Sequence, residues 1–179
     1  MSYFAAAAVR GPDGWSASEV DLAGVADVDE VADRLRDVDP DAELSLLFVE
    51  SDDMYLAILR LDEGEDLRVF GSDSAFAAEN RLGALLLSDV GTPAVEAEVI
   101  EVIEPVEPAA PADDDEPEQP VAAPDADPVG DADILADLKV PGHRLLELCG
   151  HDGLLPADVT AELSQALGFG DEMEELREA

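Results

Sequence analysis

Leu44-Ser45-Leu46-Leu47-Phe48-Val49-Glu50 is the stretch that decides the fold. A strand with one face in water alternates apolar and polar residues, because successive side chains point to opposite faces. Leu46 to Val49 break that alternation with four apolar residues in a row, so both faces of this strand need a cover. Ser51-Asp52-Asp53 turns the chain into a second apolar stretch, Met54 to Leu61, and Asp62-Glu63-Gly64-Glu65-Asp66 leads to a third, Leu67 to Phe70. Short acidic and glycine-containing connections of this kind join antiparallel neighbours.

Upstream, Tyr3 to Arg10 and Trp15 to Val20 read as strands joined through Gly11-Pro12-Asp13-Gly14, which has the composition of a tight hairpin turn. Val28, Val31, Ala32, Leu35 and Val38 follow helical spacing, with Asp29, Asp33 and Asp37 on other faces. Downstream, a helix is predicted from about Ser74 to Leu87, capped by Asp73 or Ser74 and apolar almost all round. Val95 to Ile103 alternates apolar and acidic residues, the pattern of an edge strand whose charges discourage aggregation. The order ββαβββα predicts an α+β domain over residues 1–103: a mainly antiparallel sheet of five or six strands, with two helices on one face. That order resembles the one found in profilin-like and longin-like domains, which often serve as binding modules.

Charge divides the rest of the chain. Residues 1–103 hold 24 acidic and 6 basic side chains, residues 104–131 hold 10 acidic and no basic ones, and residues 132–179 hold 11 acidic and 3 basic ones. The middle segment, with Glu104-Pro105 and Asp113-Asp114-Asp115-Glu116-Pro117, combines proline, uncompensated charge and no apolar periodicity. Such a segment has nothing to bury and is predicted to be a disordered, extended linker with a reach of about 30 Å. On that reading the two folded parts need not touch. Residues 132–179 predict a small all-α module with helices over Ala132 to Leu138, Gly142 to Cys149, Ala157 to Leu167 and Asp171 to Arg177. Pro141 and Pro156 stand where helices start, and Gly150, Gly153 and Gly168 where they stop. A module of this size is near the lower limit for independent folding, so the first domain or a partner is expected to help order it.

The 179 residues carry a net charge of −36, while 47% of them are apolar, enough to build a core; the charge therefore describes the surface. A polyanionic surface repels nucleic acid and anionic membranes, so neither is expected as a direct partner. A basic protein fits better; solubility in a salty cytoplasm is the plainer reason for the same acidity. A single cysteine, Cys149, rules out an internal disulfide and points to a reducing compartment. Met1 to Arg10 lacks a basic segment followed by an apolar run, so no signal peptide is expected. The expected location is the cytoplasm.

Residues that carry chemistry are few. His143, Cys149 and His151 lie close in sequence, but their spacing lacks the fourth ligand of a structural zinc site, and a Cys beside a His is not by itself a catalytic group. Gly11 to Gly14 lacks the Lys-Ser/Thr of a phosphate loop, and the acidic loops at 51–53 and 62–66 lack the ligand spacing of a calcium hand, so they read as solvated turns. No catalytic residue, metal ligand or cofactor is assigned, and the chain is not expected to be an enzyme. Trp15, the single tryptophan, reads as a large residue closing one end of a core, with a partner-binding anchor as the alternative.

Four strings carry a family resemblance: Ser2-Tyr3-Phe4-Ala5-Ala6-Ala7 with Gly14-Trp15; Leu82-Gly83-Ala84-Leu85-Leu86-Leu87; Gly153-Leu154-Leu155-Pro156-Ala157-Asp158; and Gly168-Phe169. In their order and spacing the chain resembles the bacterial tRNA adenosine deaminase-associated proteins. The resemblance implies an accessory role beside such a deaminase and carries over no functional residues. The deaminase's own zinc signature, H-x-E followed by P-C-x-x-C, is missing from this chain. The expectation is a non-catalytic, acidic, protein-binding factor whose partner is a tRNA adenosine deaminase or another basic protein. The alternative is a nucleic-acid mimic that occupies a basic groove, and an unrecognised small-ligand enzyme is a third reading.

Overall fold

The computed structural model describes residues 3–51, 54–79, 81–87, 128–150 and 154–178. Strands β1 (Tyr3–Gly11), β2 (Gly14–Glu19), β3 (Leu44–Ser51), β4 (Tyr55–Asp62), β5 (Asp66–Gly71) and β6 (Val129–Gly130) form one sheet in the order β2-β1-β3-β4-β5-β6. Every neighbouring pair is antiparallel. The hairpin closes with Gly11 opposite Gly14, which places Pro12 and Asp13 at its tip. The register pairs odd residues with odd ones across β1, β3, β4 and β5, so parity sorts their side chains onto two faces.

The odd face carries Ala5, Ala7, Leu47, Val49, Ala57, Leu59 and Val69. Over it lie α1 (Val28–Val38), α2 (Ser74–Glu79) and α3 (Arg81–Leu86), as expected for helices gathered on one side. Asp27 caps α1 by accepting a hydrogen bond from the Glu30 amide at 2.9 Å, and Val28, Val31, Ala32 and Leu35 turn inward. Asp73 accepts from the amides of Ala75 and Phe76, which identifies it as the cap of α2. The even face carries Ala6, Ala8, Leu44, Leu46, Phe48, Leu56, Ile58 and Phe70, equally buried. Its cover is the C-terminal part: a 3-10 turn at Ala136–Leu138, then α4 (Gly142–Cys149), α5 (Pro156–Leu167) and α6 (Gly170–Glu178). The unbroken apolar run in β3 thus has its physical cause in a three-layer arrangement, helices–sheet–helices. The two folded parts, which a long tether would allow to stay apart, share one core.

Local differences from the sequence reading each have a reason. The expected helix from Ser74 to Leu87 is two short helices folded against one another. Gly83 is the point of contact: a Cβ there would sit 2.7 Å from the Ala77 Cα, so only glycine admits the approach. Of the stretch Ala132 to Leu138 only Ala136–Leu138 is helical, as a 3-10 turn. The candidate edge strand Val95 to Ile103 lies outside the described residues, as does the expected linker from 104 to 127. Residues 128–131, counted with that linker from composition, instead join the sheet: Phe70 pairs with Gly130, and the Asp131 amide donates to the Val69 carbonyl at 2.9 Å.

Gly130 makes this sixth strand possible. Its φ of +91° is in the left-handed region, and a Cβ would lie 2.2 Å from the Val69 carbonyl oxygen. Replacing Gly130 with alanine is expected to cost about 2–3 kcal/mol through backbone strain and a steric clash. A lower urea midpoint at unchanged slope is the readout. An unchanged midpoint would remove β6 from the account of stability.

Candidate partner-binding surface

The C-terminal cover is anchored by two arginines, one toward each end of the central strands. Arg60 interrupts the apolar run of β4 and is only 6% exposed. Its Nε donates to Asp62 at 2.8 Å, and Nη2 donates to both Asp62 and Asp137 at 2.8 Å. Nη1 donates to the Ile134 carbonyl at 2.8 Å and to Asp137. All five guanidinium N–H groups are therefore used, which is what allows a buried charge to persist. The Arg60 hydrogen bonds, ahead of the charge attraction, hold the Asp137 carboxyl below the usual carboxylate range, against a smaller opposing effect of burial. At the other end Arg177 of α6 pairs with Glu50 of β3, a carboxylate that is itself buried, and lies 5.0 Å above the Phe4 ring.

These contacts decide what the surface presents. Five of the nine basic residues, Arg36, Arg60, Arg68, Arg144 and Arg177, stand in ion pairs with the protein's own carboxylates. Arg34 donates to the carbonyls of Asp21 and Ala23. Positive charge is thus largely committed within the fold, and the outward field is left to the excess of acidic side chains.

Trp15 is half-buried and packs on Phe169, with ring centroids 4.8 Å apart; Phe169 in turn meets Phe48 at 5.9 Å. Trp15 is thus a core-closing residue, as the sequence reading favoured, and it closes the core that the C-terminal cover completes. His143 is exposed on the first turn of α4, Cys149 ends that helix, and His151 lies outside the described residues. Burial pushes the Cys149 thiol up to about 12. Since only the thiolate attacks, labelling by a disulfide reagent at neutral pH is expected to be slower in the native protein than in denaturant by on the order of a hundredfold. Comparable rates in the two states would place the thiol at the surface. The turn at 62–66 is organised from within: Arg60 engages Asp62, and Arg36 donates to the Gly64 carbonyl at 2.7 Å. Among the described residues no group of three or more His, Cys, Asp or Glu side chains is placed to hold a metal ion. No helix among them is long and apolar enough to cross a membrane.

Two apolar depressions stand out among the described residues. One, of about 270 Å³, lies beside the start of β1 and is lined by Leu22, Val25, Leu82, Leu85 and Arg81. The other is an open groove of about 800 Å³ along α4 and α5, lined by Leu146, Leu148 and Leu154 with Glu147 and Glu162. Leu154 also lines a smaller recess containing Met54 and Cys149, so the two hollows adjoin. Met54, Leu146 and Leu155 are exposed by 71, 38 and 48%, and these figures set them apart from the nearly sealed core. The sequence reading did not identify this surface. A signal was present in α4, where Leu145 and Leu148 make the buried stripe and Leu146 falls outside it.

Comparison with known proteins gives one family. No curated protein and no solved structure matches this chain. A family model matches residues 3–170, which takes in the sheet, helices α1 to α5 and all the strings that carried the resemblance except Ser2. The chain belongs to the Rv3753c-like tRNA adenosine deaminase-associated protein family.

Proposed function

We propose that this chain is a non-catalytic accessory protein of the cytoplasm that binds a tRNA adenosine deaminase through a basic surface of that enzyme. Family membership across residues 3–170 carries the choice of partner. The charge of −36, with most arginines committed internally, supports the kind of contact. An acidic protein meets a basic face at a raised association rate, and salt screens that advantage over about 8 Å at physiological ionic strength. The charge of the chain repels tRNA, so the reading gives it no direct action on that substrate.

The test is a titration of purified deaminase with the full chain at low and moderate salt, with and without tRNA. The expected result is saturable binding whose association rate falls with salt far more than its dissociation rate rises. Absence of binding at both salt concentrations would sink the assignment of the partner. Binding that tRNA displaces completely would favour the alternative, a nucleic-acid mimic seated in the enzyme's groove.

A further inference from the structure

We infer that the groove between α4 and α5, continued by Met54 and Leu155, is the docking site for a basic amphipathic helix of the protein partner. The inference rests on the reading of this chain as a protein-binding factor and names the surface that does the binding. Two of the four exposed large apolar side chains among the described residues line these adjoining hollows, Met54 and Leu146, and a third, Leu155, stands in the chain between Leu154 and Pro156, which line them too. A hydrophobic group left at the surface of so acidic a protein is not needed for solubility, and contiguous exposed apolar surface marks interaction sites.

The chemistry of the occupant follows from the rim. Glu147 and Glu162 line the groove, and Arg144 spans them at 3.9 and 3.2 Å. One cation shared by two carboxylates leaves the rim net negative and leaves acceptor oxygens free for further donors. A helix with apolar residues at i, i+3, i+4 and i+7 would lay that stripe on Leu146 and Leu154, its flanking Lys or Arg reaching the carboxylates. The depression beside β1 does not match this occupant, because Arg81 lines it and, among the described residues, no carboxylate does.

Met54→Gln, Leu146→Gln and Leu155→Gln remove apolar surface without changing charge, and each site is exposed enough for the fold to tolerate the change. Each is expected to weaken binding of purified deaminase by about tenfold while leaving the melting temperature unchanged. Leu85→Gln, in the other depression, is the control. Wild-type affinity in all three variants would overturn the proposed surface and leave the proposed function standing. Should the wild-type chain fail to bind deaminase, the proposed function falls while the surface is still read with a synthetic helical peptide of leucine and lysine. That peptide is expected to shift the amide resonances of α4 and α5 and to bind the Leu146→Gln variant about tenfold more weakly. Equal binding by that variant, or by a lysine–serine peptide with no apolar stripe, would reduce the contact to charge alone and overturn the inference.

Discussion

Replacing Phe169 with alanine is expected to lower stability by about 3–5 kcal/mol, the range for a large aromatic removed from a tightly packed interior. Phe169 is fully buried, packs its ring at a tilt against Trp15 and Phe48, and fixes the passage from α5 to α6. Its amide donates to the Ser164 carbonyl at 2.9 Å, while its own carbonyl accepts from the Met173 amide at 3.1 Å. Gly168, at φ +96°, turns the chain so that the ring enters the core. Domains of ordinary stability have about 5–15 kcal/mol in all, so this one change would remove a large part of it. Because Trp15 is the only tryptophan, its fluorescence reports on the contact directly. The emission should move to longer wavelength in the variant under native conditions, and the urea midpoint should fall. A variant with wild-type midpoint and emission would mean that the C-terminal cover does not seal the even face of the sheet.

The second large effect is at Arg60, where breaking a buried ion pair and replacing it should differ. The double change Asp62→Asn with Asp137→Asn leaves a guanidinium in the core without anionic partners, a loss expected to cost about 3–5 kcal/mol. Arg60→Met removes the charge, keeps an unbranched side chain of comparable reach, and leaves the two aspartates accessible to water; it is expected to lie within about 1 kcal/mol of wild type. Equal losses in the two variants would show that Arg60 acts through its packed stem, not its charge. Acid provides a separate check. The carboxyl of Asp137 is depressed in the folded state, so its contribution is fully present above the unfolded carboxylate pKa, about 4. It is then lost as pH falls through the lower folded value. Wild type should therefore lose stability on acidification more steeply than Arg60→Met, because the latter has no guanidinium at that position to depress Asp137.

Much of the fold was legible in sequence because local rules govern it. The turn residues Gly11 to Gly14 close the first hairpin, the 3.6-residue spacing of Val28 to Val38 defines α1, and Pro156 and Gly168 bound α5. The four apolar residues Leu46 to Val49 alone required that both faces of the sheet be covered. Composition alone could not say by what, since a tether long enough to keep the parts separate is also long enough to let them meet. Tertiary structure decided it. Phe169, Ile134 and Leu163 complete the even face, and Arg60, unremarkable in sequence, finds Asp137 across 77 residues. The candidate binding surface was hidden for the same reason: whether a leucine such as Leu146 is core or surface depends on which neighbouring helix arrives beside it. Sequence by itself determined strands β1 to β5, the first hairpin turn, helices α1, α4, α5 and α6 and the acidity; only packing over long range decided that β6 joins the sheet, that the chain breaks between α2 and α3, and that the C-terminal helices are the second wall of the same core.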